Sequence, residues 1–390
     1  MDTYGTSPGL LEIEYFDEAG TGLGPTLEFY ANVSKEFSKS RVHMWRDNKK
    51  FNYATSKFES DDDSDTDSAQ PYVDNQYGLF PRPLTPLTPY YEKIIHGFSV
   101  LGKFVARSLL DSRIIDFNFN PLFFQLSSEL QNGIPLSTRR SALIERLKLV
   151  DPALANSLIH LSKYESKYPG LTPEERERVE VDGCKLSDLS LNFVLPGYPE
   201  VRIKTNGENV DITHENLSDY IDTVIDFTIG TGIKAQIDSF LEGFSKVFPF
   251  LSMTVFSSSE IVRLLGNEEE DWSYETLLNA VHADHGYSSE SPSIQNLLTI
   301  MSEFDKKERR MFLQFLTGSP KLPIGGFKSL QPDLTVVLKR PEDDLQSDDY
   351  LPSVMTCANY LKLPSYSSIE VMREKLRKAM NEGANAFLLS

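Results

Sequence analysis

A chain of 390 residues is longer than one average domain, so its length predicts two or more separately folded regions. Apolar residues make up 40% and charged residues 25%, which excludes a largely disordered or collagen-like chain. The formal net charge of −18 and the lack of a basic stripe in the sequence argue against nucleic acid as a partner. The sequence shows no apolar run of membrane-spanning length and no leading signal segment, so we expect no membrane partner and a cytoplasmic or nuclear location.

The cysteine content points away from disulfides and metal. Cys184 and Cys357 are far apart, and the sequence contains neither a CxxC pair nor a Cys/His cluster. This spacing predicts neither a disulfide framework nor a structural zinc site, and free thiols fit a reducing compartment. We therefore expect no metal.

The first predicted elements precede residue 265. An acidic stretch at about 59–70 contains ESDDDSDTD, which is too polar and self-repelling to pack, so it is interpreted as a mobile loop. Apolar residues at helical spacing predict core helices over 88–110, 151–164, 217–225 and 233–247. Pro152 suits the first turn of the second helix, and Thr213 is a plausible N-cap for the third. Alternating apolar residues predict a strand over 189–195 and a returning strand over 201–204.

A glycine followed by polar and acidic residues, LGNEEEDW at 265–272, predicts the main domain boundary. Beyond it we predict helices over 277–281 and 294–304, and strands over 312–316 and 334–338. The final helix is predicted to begin with a capping box at Ser367 and Glu370 and to end at Gly383. The chain is thus mixed α and β, with helices dominating its first part.

Cys357 lies in LPSVMTCANYLKLP, between the acidic segment PEDDLQSDDY and the final helix. A thiol in such a short segment can sit near the surface, where catalysis requires it. A lone cysteine is more often buried and inert, so the spacing by itself leaves both interpretations open.

Several further motifs occur in one order along the chain: GPTLEFY (24–30), GLFPRP (78–83), LGKFVARSLLD (101–111), LPGYP (195–199), HGY (285–287) and FLQFLTGSPKLPIGGF (312–327). Together with the segment around Cys357 they resemble the catalytic region of HECT ubiquitin ligases, whose nucleophile follows a threonine and precedes a Leu-Pro near the C-terminus. LPSVMTCANYLKLP and YSSIEVMREKL resemble the ubiquitin-fusion-degradation branch of that family.

The resemblance implies a bilobal α+β fold. A larger, mostly helical N-lobe would occupy 1–265, a short hinge 266–271 and a smaller α/β C-lobe 272–390. It implies a ligase that accepts ubiquitin from a conjugating enzyme as a thioester on Cys357 and transfers it to a lysine without a cofactor. The implied partners are ubiquitin, a ubiquitin-conjugating enzyme and a protein substrate or ubiquitinated substrate.

Polar residues near Cys357 are candidates for supporting roles. Thr356 and Asn359 are the nearest hydrogen-bonding side chains, although ordinary loop polarity explains them equally well. Asp348 and Asp349 are candidates for the base that accepts a proton from the attacking lysine, with solvated loop charge as the alternative.

The family resemblance also assigns a docking groove and a tail residue. The conjugating enzyme would bind a small N-lobe subdomain at about 145–225, through residues of one helix, one strand and a second helix: Leu154, Leu158, Leu161, Tyr164, Leu189, Leu191 and Tyr220. Core packing is the alternative for the leucines, whereas tyrosine favours a half-wet site. Phe387, fourth from the end, matches a phenylalanine that helps to orient the C-lobe during transfer.

Two other functional classes remain open from the residues. His282 and His285 suggest a cysteine peptidase acting on ubiquitin conjugates, in which a histidine activates the thiol. However, no histidine follows His285 in the sequence, and HADHGY matches a segment of the ligase family. A non-catalytic ubiquitin-binding scaffold is the third class.

Overall fold

We analysed a computed structural model of the chain. The structure describes residues 7, 9, 11–14, 23–47, 72–73, 75–113, 115, 117–266, 270–323, 325–341 and 346–386, and of 23, 24, 357 and 383–386 it describes the backbone alone. The acidic stretch at 59–70 lies outside the described residues. None of the described helices is both long and apolar enough to cross a membrane.

The helices and strands in chain order are α1 (Leu23–Phe37), α2 (Tyr91–Leu110), α3 (Pro121–Gln131), α4 (Arg140–Lys148), α5 (Pro152–Ser166), α6 (Pro173–Arg176), β1 (Glu180–Val181), β2 (Cys184–Lys185), α7 (Leu217–Ile229), α8 (Thr231–Ser245), α9 (Ser258–Leu264), α10 (Tyr274–Ala280), β3 (His282–Asp284), α11 (Pro292–Ser302), α12 (Lys306–Thr317), β4 (Thr335–Lys339), β5 (Ser353–Met355), β6 (Tyr360–Pro364) and α13 (Ile369–Ala386). These elements make a mixed α+β chain. They fall into two compact units: the described residues within Glu36–Arg107 and Asn118–Val262, and those within Ser7–Lys35, Ser108–Phe117 and Arg263–Ser390.

We call the described residues of the first unit outside 139–229 its main part. Helices α2 and α8 approach each other closely there. A methyl group at Gly102 or Gly243 would collide with a backbone carbonyl of the opposite helix, that of Phe240 or Ser99. Glycine at both positions therefore lets the two helix backbones touch. Aromatic rings fill the space beside this contact, with the Phe123 and Phe240 centroids 4.9 Å apart in an edge-to-face arrangement.

Residues 139–229 of the first unit form what we call the small subdomain. Helices α4, α5 and α7 pack on one another there, and β1 and β2 pair as a short antiparallel hairpin. Asp151 caps α5 by accepting a hydrogen bond from the Leu154 amide at 2.9 Å, and Pro152 occupies the first turn as predicted. The N-cap of α7 is Asn216 rather than Thr213, whose hydroxyl accepts from the Glu215 amide in the preceding turn.

The second unit contains a four-stranded sheet in the order β3-β4-β6-β5. Strands β3, β4 and β6 are parallel, and β5 is antiparallel to β6. Val336, Leu361 and Leu363 point to one face of the sheet and share a core with α10, α11, α12 and α13. The neighbouring residues of each strand alternate to the other face.

Four predicted elements differ from the structure. The predicted strand at 312–316 is part of α12, because a capping box of Asp305 and Glu308 starts a helix whose apolar residues share one stripe. The predicted strands at 189–195 and 201–204 are absent from the described chain, and Asn192 pairs with Asp211 in an isolated bridge instead. The final helix begins at Ile369 with the Ser368 hydroxyl accepting from the Val371 amide, and it continues through Gly383 to Ala386.

Candidate active site

Cys357 lies in the turn that joins two antiparallel strands of the second unit. The backbone leaves β5 at Met355, makes a single 3-10 turn over Thr356–Ala358, and enters β6 at Tyr360. Asn359 closes the turn in the left-handed conformation, with φ 50° and ψ 39°. Asparagine tolerates this conformation better than most residues, so its presence here helps to define the turn. The side chain of Cys357 is outside the described atoms.

Asn359 attaches this turn to the loop that precedes β4. Its side chain is only 6% exposed, and its Nδ2 donates to the Pro332 carbonyl at 2.6 Å. Its backbone carbonyl accepts from the Thr335 amide at 3.1 Å, and its amide donates to the Thr356 carbonyl at 3.4 Å. Asn359 thus positions the turn through backbone partners, while the Thr356 side chain is half-buried beside it.

The segment that leads into β5 is held by two further hydrogen bonds. The Tyr366 hydroxyl donates to the Tyr350 carbonyl at 2.9 Å, and Lys339 Nζ donates to the Leu351 carbonyl at 2.9 Å. Burial raises the pKa of the Tyr366 hydroxyl, which keeps it protonated as a donor at neutral pH. The cysteine turn is therefore anchored on both sides by side-chain-to-backbone bonds.

The two aspartates proposed as bases take part in local hydrogen bonds. Asp348 accepts from the Ser367 amide at 2.9 Å and from the Ser367 hydroxyl at 2.5 Å. These bonds lower the pKa of Asp348, so its carboxylate is a weaker proton acceptor than a free aspartate. Asp349 accepts from the Gln346 amide at 3.0 Å. This arrangement favours the structural interpretation of both aspartates.

The two histidines lie on or beside β3, on the far side of the sheet from the cysteine turn. His282 is exposed and lies 3.4 Å from Asp333 Oδ2, while His285 is 3.6 Å from Asp284 Oδ2. Strand β4 separates β3 from β6, and β6 separates β4 from β5. Because adjacent strands are about 4.8 Å apart, the backbone of His282 is on the order of 10 Å from the backbone of the turn. This spacing disfavours a His–Cys peptidase pair.

Glu270 lies near the end of the predicted hinge and makes two hydrogen bonds that the sequence analysis did not predict. Its Oε1 accepts from the Leu322 amide at 2.8 Å, and its Oε2 accepts from Trp272 Nε1 at 2.9 Å. It therefore attaches the chain at residue 270 to the core of the second unit. Gly266, at the other end, has φ 90°, a conformation that favours glycine. Asn267 lies outside the described residues.

The profile of the HECT-domain (ubiquitin-transferase) family matches residues 31–390, including the cysteine turn. The chain belongs to the HECT-domain family. Similar proteins include a probable ubiquitin fusion degradation protein of Schizosaccharomyces pombe, 48% identical over 100% of this chain and 22% of the relative. Ubiquitin fusion degradation protein 4 of Saccharomyces cerevisiae is 46% identical over 100% of this chain and 25% of its own length. The E3 ubiquitin-protein ligase TRIP12 of Danio rerio is 38% identical over 100% of this chain and 19% of its own length.

These matches confirm the resemblance to the ubiquitin-fusion-degradation branch of the HECT family. The chain spans between 19% and 25% of the length of these three relatives.

The residues predicted to form the conjugating-enzyme groove of this HECT domain differ in burial. Five of its seven residues are buried: Leu154, Leu158, Leu161, Tyr164 and Tyr220. The Tyr164 hydroxyl donates to the Cys184 carbonyl at 2.9 Å, and the Tyr220 ring packs edge-to-face on Phe193 at 5.3 Å. These five side chains pack in the core of the small subdomain, so burial favours the core-packing alternative, and their role in binding a conjugating enzyme stays a prediction. Leu189 and Leu191 are half-buried and remain available for contact.

Phe387 and Cys184 are the remaining residues of interest in this HECT domain. Phe387 lies outside the described residues, so its role in orienting the tail stays a prediction. Cys184 is an exposed free cysteine at the start of β2, in the small subdomain and outside the turn that contains Cys357.

Proposed function

We propose that this chain is the catalytic region of an E3 ubiquitin ligase in which Cys357 carries ubiquitin as a thioester. The observation that carries the proposal is the HECT family match over residues 31–390, which includes the turn at Cys357. The anchored turn supports it further, because a nucleophile must be held in a defined place for attack.

In the first step the Cys357 thiolate attacks the carbonyl carbon at the C-terminus of ubiquitin, which arrives as a thioester on the conjugating enzyme. A new carbon–sulfur bond forms at Cys357, the bond to the conjugating enzyme's cysteine breaks, and that cysteine leaves as a thiolate. One thioester replaces another, so the free energies nearly balance and the step requires neither a cofactor nor ATP. The thiolate, and not the thiol, is the nucleophile. The pKa of a free cysteine, about 8.5, determines how much of it is present.

In the second step a lysine amine attacks the thioester carbonyl carbon. A carbon–nitrogen bond forms, the bond to Cys357 sulfur breaks, and the amine loses a proton to a base. The product is an isopeptide bond and a free Cys357. Two relatives are named as ubiquitin fusion degradation proteins, which supports the proposal that the substrates already carry ubiquitin. On such substrates this protein would lengthen a polyubiquitin chain.

The decisive experiment incubates the chain with activating enzyme, conjugating enzyme, ATP and ubiquitin, and separates adducts with and without thiol reductant. The wild type should form a reducible adduct, Cys357→Ser a reductant-resistant oxyester, and Cys357→Ala none. Cys184→Ala is the matched control and should behave as wild type. A reducible adduct on Cys357→Ala would refute the assignment. Unaided cleavage of ubiquitin conjugates would indicate a peptidase, and no reaction in either assay would indicate a scaffold.

We propose a bilobal division of labour. Residues 1–265 would form the N-lobe that docks the conjugating enzyme, and residues 272–390 the C-lobe that carries Cys357. The last of the divisions between the two compact units falls between Val262 and Arg263, which supports a boundary close to residue 265, although the second unit also includes described residues within Ser7–Lys35 and Ser108–Phe117.

Residues 266–271 would be the hinge between the proposed lobes. Asn267→Pro should slow transfer to lysine because it stiffens the linker, whereas Asn267→Ala should not. Proline at Gly266 is a poor test, since φ there is 90° and proline requires about −65°. Equal transfer rates in the proline and alanine variants would mean that mobility at this point is not needed.

We propose that the conjugating enzyme docks on the small subdomain beside Leu189 and Leu191. Replacing both leucines with alanine should raise the conjugating-enzyme concentration that gives half-maximal loading of Cys357. Ile134→Ala, which alters an apolar side chain outside the small subdomain that is 55% exposed, is the matched control. An unchanged half-maximal concentration would place the docking surface elsewhere.

A further inference from the structure

The small subdomain is one contiguous stretch of chain, so its covalent links to the rest of the first unit are at its two ends, before Arg140 and after Ile229. Gly230 makes the second link, directly between α7 and α8. Two such links leave a helical subdomain free to rotate unless other contacts hold it. Its orientation therefore depends on the side chains that cross this junction.

Two arginines of the main part are directed towards the junction by a short backbone pairing. The Arg46 amide donates to the Phe80 carbonyl at 2.8 Å, and the Arg82 amide donates to the Met44 carbonyl at 3.0 Å. These bonds flank an antiparallel bridge of Trp45 with Pro81. Because neighbouring side chains alternate in an extended segment, both arginines point away from the side on which Trp45 lies. Trp45 is buried in the aromatic core of the main part.

Each arginine then pairs with a different carboxylate of the small subdomain. Arg46 Nη2 lies 2.6 Å from Asp151 Oδ2, and Arg82 forms an ion pair with Glu200. The exposed fractions of the two arginine side chains are 5% and 11%, so water screens these pairs weakly. The Asp151 carboxylate also caps α5, and Arg46 is therefore connected directly to the start of that helix.

Tyr198 of the LPGYP motif lies beside both arginines. Its ring centroid is 5.1 Å from the Arg46 guanidinium carbon and 5.4 Å from that of Arg82. Both distances are within the range of cation–π attraction. Burial raises the pKa of the Tyr198 hydroxyl, so it stays neutral beside the two cations and the ring is the group that they meet.

Two other contacts cross the same junction. Arg146 of α4 makes a bidentate pair with Glu129 of α3, at 2.8 and 2.7 Å. The buried side chain of Asn120 donates to the Leu149 carbonyl at 2.7 Å and to the Tyr77 carbonyl at 2.7 Å. The contacts described here between the small subdomain and the main part are thus hydrogen bonds, ion pairs and cation–π contacts at several points around the junction.

Buried ion pairs add little net stability compared with apolar packing of the same volume, because desolvation offsets their attraction. They do impose geometry, since a rotated subdomain would leave buried charges unpaired. We propose that Arg46, Arg82 and Tyr198 form an orientation lock, which holds the small subdomain in one orientation relative to the main part of the first unit. This lock determines where a conjugating enzyme docked on the subdomain presents its thioester, a consequence that rests on the docking role proposed above.

The lock is tested by charge reversal and its compensation. Arg82→Glu places two like charges together, and the double variant with Glu200→Arg restores an opposite pair. Arg140→Glu is the matched control, because Arg140 pairs with Glu165 and Asp222 inside the small subdomain and does not cross the junction. If the charge reversal prevents folding, the same lock is tested with Tyr198→Leu, which removes the aromatic ring, and Tyr198→Phe, which keeps it.

Orientation is measured without any partner protein. Nitroxide labels on Cys184 in the small subdomain and on Lys93→Cys in α2, with Cys357→Ser in the background, report one distance across the junction. We expect one narrow distance distribution in the wild type, the control, Tyr198→Phe and the double variant. We expect a broadened or shifted distribution in Arg82→Glu and Tyr198→Leu. An unchanged distribution in both of those variants would overturn the lock.

The consequence for transfer is measured with Cys357 intact and unlabelled. At saturating charged conjugating enzyme, Arg82→Glu should load Cys357 roughly 10- to 100-fold more slowly, because misplacement of reacting groups by about 1 Å has effects of that size. The KM for the charged conjugating enzyme should be unchanged, and the double variant should recover the rate. A broadened distance distribution with a normal loading rate would overturn the link to transfer. Failure of the conjugating enzyme to bind the wild-type chain would instead refute the docking proposal, and the distance measurement would still decide the lock.

Discussion

Replacing Asn359 with alanine should destabilise the second unit by about 1.5–3.5 kcal/mol. The first contribution is the lost hydrogen bond from the buried Asn359 side chain to the carbonyl of Pro332, an exposed residue to which water can donate instead, at a cost of about 0.5–1.5 kcal/mol. The second is the left-handed backbone, with φ 50°, which costs about 1–2 kcal/mol for a residue with an ordinary Cβ. The turn at Cys357 should loosen as a result, and loading of ubiquitin should slow.

Asn206 provides a matched control. It has nearly the same backbone conformation, φ 52° and ψ 32°, but it is exposed and its side chain makes no capping bond in the described structure. Asn206→Ala should therefore lose only the backbone contribution, about 1–2 kcal/mol. The difference between the two variants isolates the buried hydrogen bond of Asn359.

The two tryptophans make this comparison measurable. Trp45 lies in the core of the first unit and Trp272 in that of the second, and the sequence contains no other tryptophan. Guanidinium unfolding followed by fluorescence in a Trp45→Phe background reports the second unit, and a Trp272→Phe background reports the first. If the two asparagine variants lose the same free energy within about 0.5 kcal/mol, the buried hydrogen bond contributes nothing and the reasoning fails.

Three further predictions concern other parts of the chain. Asp348→Asn should lower the melting temperature at neutral pH, and this difference should disappear on acidification. The lowered pKa of Asp348 contributes stability above its ordinary value of 3.8, and the contribution is lost as the pH falls through the lowered value. Gly243→Ala should cost about 1–3 kcal/mol or more in guanidinium unfolding, because the added methyl meets the Ser99 carbonyl. A similar cost for Gly97→Ala, whose methyl would meet the flexible Met44 side chain, would contradict that reason. Phe387→Ala should leave thioester formation at Cys357 normal and slow isopeptide formation in a single-turnover assay; equal loss of both steps with a lower melting temperature would indicate a core role instead.

Helices with several turns of apolar periodicity could be predicted from the sequence. The predicted segments 88–110, 151–164, 217–225 and 233–247 correspond to α2, α5, α7 and α8, because each buries a repeated apolar stripe. A short apolar run carries less information. FLQFL at 312–316 fits either a strand or one turn of a helix, and the capping box at Asp305 decides in favour of the helix.

Periodicity could not separate the core of the small subdomain from its surface. Leu154, Leu158 and Leu161 recur at helical spacing both in a core helix and in a helix that lines a groove. The structure places them in the core because α5 packs against α4 and α7, which are distant in sequence from one another. The Asn359 contact was out of reach for a similar reason. Asparagine is a recognisable candidate for a left-handed turn, but its partner Pro332 is 27 positions away and no local pattern connects them.

The contiguous arrangement of the small subdomain has a consequence for how HECT domains can diversify. Its chain leaves the main part after α3 and returns at α8, and α3 and α8 pack against each other. The small subdomain therefore begins and ends at one pair of packed helices, so residues 139–229 can be exchanged as one segment. Such a chimera should also take, at positions 46 and 82, the residues of the protein that supplies the segment. It should then keep its fold and the turn at Cys357, and on the docking role proposed above it should acquire the conjugating-enzyme preference of that protein.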